Sequence, residues 1–167
     1  MSVRFVQLPP AVLQLLIDGD RDAASAATGI AVSDYLASEE CAWLWRIRLR
    51  QIAEAPESAE WIARAAVSEP DGAVVGHAGF HGPPDEEGMV EVGYSVDPAF
   101  RRRGYARAML AELLRRCAAD ERVTTVRASI SPENLASLGT IAGFGFVRTG
   151  EQWDDEDGLE TLFEVRV

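Results

Sequence analysis

The chain has 167 residues, 47% of them hydrophobic and 26% charged, with a formal charge of −11 from 16 cations and 27 acids. Every cation is an arginine, and the absence of lysine excludes Schiff-base enzymes, phosphate-loop NTPases and protein kinases, each of which needs a lysine at the reacting group. The acidic balance argues against broad contact with nucleic acid or an anionic membrane, and the length suits one domain over 1–167 with an ordinary core.

The first sixty residues read as mostly helical. Ala11 to Asp18 follows a Pro-Pro start, Ser33 to Glu39 forms a short segment, and Ala42, Trp45, Leu49 and Ile52 share one helical face. Trp43, Trp45, Ile47 and Leu49 also alternate with Leu44, Arg46, Arg48 and Arg50 as a strand would, and the Ala53-Glu54-Ala55 that follows tips the balance toward helix. Trp43, Trp45 and Trp61 read as core residues.

From residue 61 the pattern becomes sheet-like. Trp61 to Val67 and Ala73 to His81 flank the turn Glu69-Pro70-Asp71-Gly72 and predict a hairpin. A Pro-Pro-Asp-Glu-Glu-Gly turn leads into Met89 to Val96, with Val90, Val92, Tyr94 and Val96 on one face and Glu91, Gly93 and Ser95 on the other. Connections this short predict three consecutive antiparallel strands.

A helix follows, with Ala106, Met109, Leu110, Leu113, Leu114 and Cys117 at helical spacing. Val123 to Ile130 predicts a strand, and Ser131-Pro132 reads as N-cap and first-turn proline of a short helix through Ala142. Phe146 to Trp153 and Leu159 to Val167 predict a last hairpin across the acidic turn 154–158. The order of elements implies a mixed α/β layer fold with helices packed on a mainly antiparallel sheet.

Cys41 and Cys117 lie 76 positions apart and do not frame a disulfide set, which suits a reducing compartment. A closed zinc site would need both of them together with His77 and His81, at spacings of no known zinc pattern, so no metal is expected. His77 and His81 fall on one face of a predicted strand, and without a third ligand a structural or substrate-pocket role is expected of them. With no signal-peptide apolar region and no 18-residue apolar run, a soluble cytoplasmic protein is expected.

Residues 100 to 116 carry six arginines against the single acid Glu112, a local +5 inside an acidic chain. Three of them, Arg101, Arg102 and Arg103, stand between a strand ending at Val96 and a helix beginning near Gly104. A helix N-terminus already exposes unpaired N–H groups and about half a positive charge, so each cation there costs on the order of 0.3–1 kcal/mol unless an anion lies among them. A phosphate ligand explains the run better than solvation does. The glycines at 76, 79 and 82 do not make the dinucleotide fingerprint, and Gly143-x-Gly145 lacks its third glycine.

Arg101-x-x-Gly104-x-Ala106 resembles the R/Q-x-x-G-x-G/A signature of the GNAT superfamily of acetyl-CoA-dependent N-acetyltransferases. The preceding Val90-Glu91-Val92-Gly93-Tyr94-Ser95-Val96-Asp97-Pro98 is similar to that family's fourth strand. Asn134-x-x-Ser137, followed by Gly143-Phe144-Gly145-Phe146, is similar to its closing segment. The likeness covers about residues 61–150 and lies nearest the branch of ribosomal-protein N-terminal acetyltransferases.

The resemblance implies the GNAT acyl-CoA N-acyltransferase fold, a central, mostly antiparallel twisted sheet with helices on both faces. Residues 1–60 would form a helical substrate-side region, 61–150 the acetyl-CoA-binding core and 151–167 the closing hairpin strand. It further implies that backbone N–H groups over Arg101, Arg102, Arg103, Gly104, Tyr105 and Ala106 hold the pyrophosphate of coenzyme A, and that the Val96 backbone holds the pantetheine arm and polarises the thioester carbonyl. Asn134 either contacts the pantetheine or starts a helix by bonding its own backbone.

The chemistry implied is direct attack of a primary amine on the acetyl thioester. At pH 7 a lysine-like amine is neutral about once in 2,500 molecules, a penalty of about 4.6 kcal/mol, whereas an α-amine needs only about 1–1.4 kcal/mol. Glu91 is the candidate base, the alternative being an ordinary exposed strand glutamate. Many relatives place a proton-donating tyrosine where this chain has Ile141. The resemblance to the ribosomal-protein N-terminal acetyltransferase branch implies that the serine after the Asn, Ser137 here, protonates the departing thiolate, which near pKa 8.5 is a tolerable leaving group without a donor.

The resemblance implies a small-molecule or peptide amine as acceptor, and the acidic surface suits a cationic one. A homodimer is compatible with the family. Two other classes stay open: a non-catalytic acyl-CoA-binding or sensing domain, and a nucleic-acid module built on the arginine patch.

Overall fold

Strand β1 (Val3–Gln7) pairs antiparallel with β2 (Arg64–Ser68) from Val3 opposite Ser68 to Gln7 opposite Arg64 in a computed structural model describing residues 1–155 and 158–167. This strand is an addition to the mostly helical reading of the first sixty residues. Five residues ahead of a Pro-Pro step give too short an alternation to register alone, and its partner lies sixty positions away.

The remaining N-terminal segment is helical. α1 (Pro10–Ile17) begins at its proline. α2 (Arg21–Thr28), not anticipated from the sequence, is capped by the Asp20 side chain and closed by Gly29 in left-handed backbone. The segment expected over 33–39 is a run of turns, and α3 (Glu39–Glu54) starts only after Ser38 accepts the Cys41 N–H at 3.3 Å. The helical reading of 42–55 holds. Trp45 is fully buried and donates to Leu36 O at 2.8 Å, while Trp43, expected in the core, is half exposed.

β2, β3 (Val74–Phe80) and β4 (Met89–Val96) form the expected antiparallel run, although residues 61–63 precede β2 rather than belong to it. α4 (Tyr105–Ala118) follows. β5 (Thr125–Ile130) then lies parallel to β4, because the connection through α4 returns the chain in the same direction. α5 (Leu135–Ile141) is capped by Asn134 and not by Ser131. β6 (Val147–Asp154) and β7 (Gly158–Arg166) close the chain as a hairpin. Glu156 and Asp157, in the acidic turn expected between them, lie outside the described residues.

The sheet runs β1-β2-β3-β4-β5-β7-β6. Neighbouring residues of β3 show that helices cover both its faces. A Cβ on Gly76 would lie 3.1 Å from Met109 of α4, whereas the His77 ring meets the edge of Trp45 of α3 at 5.2 Å. Leu13, Leu16, Leu36, Trp45 and Ile62 are fully buried, as are Met109, Leu110, Leu113, Val75 and Val90. Cys41 and Cys117 are buried free thiols. Among the described residues, no helix is long and apolar enough to cross a membrane.

Candidate active site

β4 and β5 run together only at their starts. Their ladder joins Met89 to Thr125, Val90 to Val126 and Glu91 to Arg127, and stops there. β4 nevertheless stays paired with β3 as far as Val96. The His81 N–H donates to Glu91 O at 2.8 Å and the Asp97 N–H to Val75 O at 2.9 Å. The antiparallel alternation therefore turns the backbone groups of Val92, Tyr94 and Val96 away from β3 and toward the gap.

That gap connects two cavities. One, of about 580 Å³, is lined by His81, Glu91, Gln152, Asp154 and Glu160. Glu91 lies opposite His81, in phase with His77, and so belongs to the face covered by α3. The second, of about 550 Å³, is lined by Val96, Arg101, Arg102, Gly104, Tyr105 and Ala106. Val96 pairs with Gly76 and so faces α4. Tyr94, Asn134 and Ser137 line both cavities, which makes them one passage through the sheet.

The loop at the α4 end has a backbone shaped for an anion. Asp97 accepts the Ala99 N–H at 2.9 Å and caps a single 3-10 turn over Pro98–Phe100. Arg102 (φ 60°) and Gly104 (φ 85°) both take left-handed backbone, and Gly104 is the N-cap of α4. Left-handed residues among ordinary ones turn successive N–H groups inward, and the helix start adds its own unpaired donors. No acid stands in the first turn of α4. Holding Arg102 in that conformation costs about 1–2 kcal/mol.

The six arginines of the 100–116 island divide by role. Arg101 and Arg102 line the cavity, and Arg101 Nε also donates to Val96 O at 3.2 Å. Arg103 lies over the Phe100 ring at 5.4 Å. Arg107 donates to Thr140 O at 3.0 Å and Ala142 O at 2.7 Å, tying α4 to the end of α5. Arg115 and Arg116 pair with Glu112 at 2.6 and 3.1 Å near the far end of α4, where the helix dipole favours cations.

The family profile described as acetyltransferase (GNAT) domain matches residues 12–147. The chain belongs to the GNAT acetyltransferase family. A curated relative, the uncharacterized N-acetyltransferase YjdG of Bacillus subtilis (strain 168), is 35% identical over 74 residues, and the match spans 44% of each chain. An aminoglycoside acetyltransferase solved with coenzyme A shares the fold at 18% identity and a TM-score of 0.67, with 99% of this chain and 95% of that one covered. The ribosomal-protein-S5-alanine acetyltransferase of Vibrio fischeri does so at 17% identity and a TM-score of 0.63, with 98% and 91% covered.

Within this GNAT acyltransferase domain, the residues singled out in the sequence mostly converge on the passage. Glu91 lies in the α3-side cavity, Val96, Arg101, Arg102, Gly104, Tyr105 and Ala106 in the α4-side cavity, and Asn134 and Ser137 at their junction. Arg103 is absent from either lining. The Tyr105 side chain is buried and donates to Ser68 Oγ at 3.2 Å, which leaves its backbone to face the cavity. The Asn134 side chain accepts the Ser137 N–H at 3.0 Å, so it starts a helix and borders the passage as well.

The two histidines part company. His77 is stacked on Tyr35 and edged by Trp45, and burial beside Arg48 pushes its imidazole pKa down to about 4. His81 borders the α3-side cavity instead.

Sequence reading missed Tyr94 and the acids Asp154 and Glu160. Ile141 is buried in the core, while the Tyr94 hydroxyl meets those of Thr140 and Ser137 at the junction. Burial pushes its phenol pKa up, against the opposing pull of those two neighbouring hydroxyls. The available signal was a tyrosine interrupting the valines of β4.

Proposed function

We propose that this domain transfers an acetyl group from acetyl-CoA to a cationic primary amine. The observation that carries the reading is the passage through the sheet, with a loop of arginines and left-handed backbone at one mouth and carboxylates at the other. On the α4 side, the N–H groups over Arg101–Ala106 and the guanidinium groups of Arg101 and Arg102 suit the diphosphate of coenzyme A. The outward-turned backbone of Val92, Tyr94 and Val96 offers the pantetheine arm strand-like hydrogen bonds, and the Val96 N–H suits the thioester oxygen.

On the α3 side, Glu91, Asp154 and Glu160 line the cavity and, among the described residues, no arginine does. Gln152 Nε2 donates to Glu160 at 2.9 Å and approaches Ser129 Oγ at 3.4 Å, fixing that wall. A cavity of this charge favours an acceptor that arrives as a cation. Glu91 then removes the proton that blocks attack, and Ser137, with the Tyr94 hydroxyl beside it, donates to the departing sulfur.

An assay of free thiol release across an aminoglycoside, a polyamine and basic peptides with free N-termini tests the reading. Acetylation of at least one amine, abolished by Glu91→Gln with coenzyme A affinity retained, is expected. Coenzyme A binding without thiol release from any amine would identify a sensing domain instead.

A further inference from the structure

His81 is held from both sides at the end of β3. Its N–H donates to Glu91 O at 2.8 Å and its carbonyl accepts from Gln51 Nε2 of α3 at 2.5 Å. With its backbone pinned, the ring reaches Glu91: Nδ1 lies 3.5 Å from Oε1. The opposite edge of the ring rests on β4, where a Cβ at Gly93 would come within 3.1 Å of Nε2 and 3.4 Å of Cδ2. Gly93 has no left-handed backbone to explain it, so the glycine is read as room for this ring.

Exposure orders the pair. The Glu91 side chain is 20% exposed and that of His81 51%. An acceptor filling the cavity would cover the carboxylate further, and the imidazole at its edge would still meet water.

We propose that His81 is the outlet for the proton that Glu91 removes, passing it from the carboxylate to bulk water in each turnover. The proposal rests on the reading of Glu91 as base. The acceptor ammonium gives up two protons. The first goes to the Glu91 carboxylate, which frees the nitrogen lone pair to attack the thioester carbonyl. The new C–N bond forms as the C–S bond breaks and its electron pair leaves on sulfur. The second nitrogen proton ends, through the donors at the junction, on that sulfur. Glu91, now a carboxylic acid, passes its proton to Nδ1 of neutral His81, and the imidazolium loses a proton to water, so both groups are reset.

Three charged groups from three elements act on the ring. Arg48 of α3 lowers the imidazole pKa, as burial does more strongly, while Glu91 of β4 and Asp154 of β6 raise it. The net direction is downward, which leaves the ring neutral at pH 7 and able to accept a proton.

His81→Ala and Glu91→Gln, assayed with the amine panel and by coenzyme A calorimetry, test the proposal. His81→Ala is expected to lower kcat about 10- to 100-fold at pH 7 with coenzyme A affinity unchanged. Added imidazole is expected to restore part of the loss, a recovery that a structural role would not show. Wild-type turnover in His81→Ala beside a dead Glu91→Gln overturns the outlet and leaves Glu91 as base. Wild-type turnover in both overturns the base reading also.

NMR titration of the His81 ring needs no acceptor. Removal of the carboxylate in Glu91→Gln is expected to lower the His81 midpoint by about half a pH unit or more. An unmoved midpoint would overturn the pairing, and with it the outlet.

Discussion

The Asn134 side chain accepts the Ser137 backbone N–H at 3.0 Å, and both residues line the passage through the sheet. One bond thus starts α5 and places the hydroxyl at the junction. Asn134→Ala removes the cap and is expected to cost about 1 kcal/mol of stability, read by chemical denaturation. Thiol release should fall further than in Asn134→Ser, which keeps a capping oxygen. Equal rates in the two variants would show that position 134 acts through its own amide rather than through the cap.

The arginines of the loop before α4 are expected to contribute unequally to coenzyme A binding. Arg101 and Arg102 line the cavity, whereas Arg103 covers Phe100. Arg101→Glu together with Arg102→Glu is therefore expected to weaken coenzyme A binding by more than tenfold, about 1.4 kcal/mol or more, with the fold intact. Arg103→Ala is expected to change it far less. Calorimetry with coenzyme A at two salt concentrations measures both, and the wild-type affinity should fall as salt rises. Equal affinity in the double variant would remove the diphosphate from this loop.

Tyr94→Phe keeps the ring and deletes the hydroxyl that meets Ser137 and Thr140. A fall in kcat with little change in coenzyme A affinity is expected, and a larger fall when Ser137→Ala is added. The phenol pKa is raised above its ordinary value of 10, so donation from it should persist to pH 9 in the wild-type pH–rate profile. Loss of coenzyme A affinity with unchanged kcat would make Tyr94 a wall of the passage and nothing more.

β4 was legible because the seven residues from Val90 to Val96 alternate and turn residues bound the strand on the N-terminal side. The loop before α4 stood out because arginines are costly at a helix N-terminus, and Arg101 and Arg102 do line a cavity there. Asp154 and Glu160 were not, since they reach the cavity only once β7 inserts between β5 and β6, a pairing no local pattern encodes. The start of α5 misled for a local reason. Ser131-Pro132 has the composition of a cap and first turn, but Ser131 Oγ accepts the Glu133 N–H at 3.4 Å, and the helix waits for Asn134. His77 and His81 share a strand face in the sequence, yet one lies under α3 and the other beside the cavity, because the strand ends between them.

His77 makes the fold sensitive to acid. Its folded pKa is about 4, against 6.5 for an unperturbed imidazole, because the ring is enclosed by Tyr35 and Trp45 beside Arg48. The unfolded chain therefore binds a proton that the native ring refuses. Stability is fully present above pH 6.5 and declines as pH falls toward 4. The loss attributable to this group amounts to roughly 3–4 kcal/mol at most, taking about 1.4 kcal/mol for each pH unit of separation. Urea denaturation of wild type and His77→Gln at pH 7 and pH 4.5 checks it: the variant should start less stable and lose less on acidification. An equal loss in both proteins would assign the acid sensitivity to other groups.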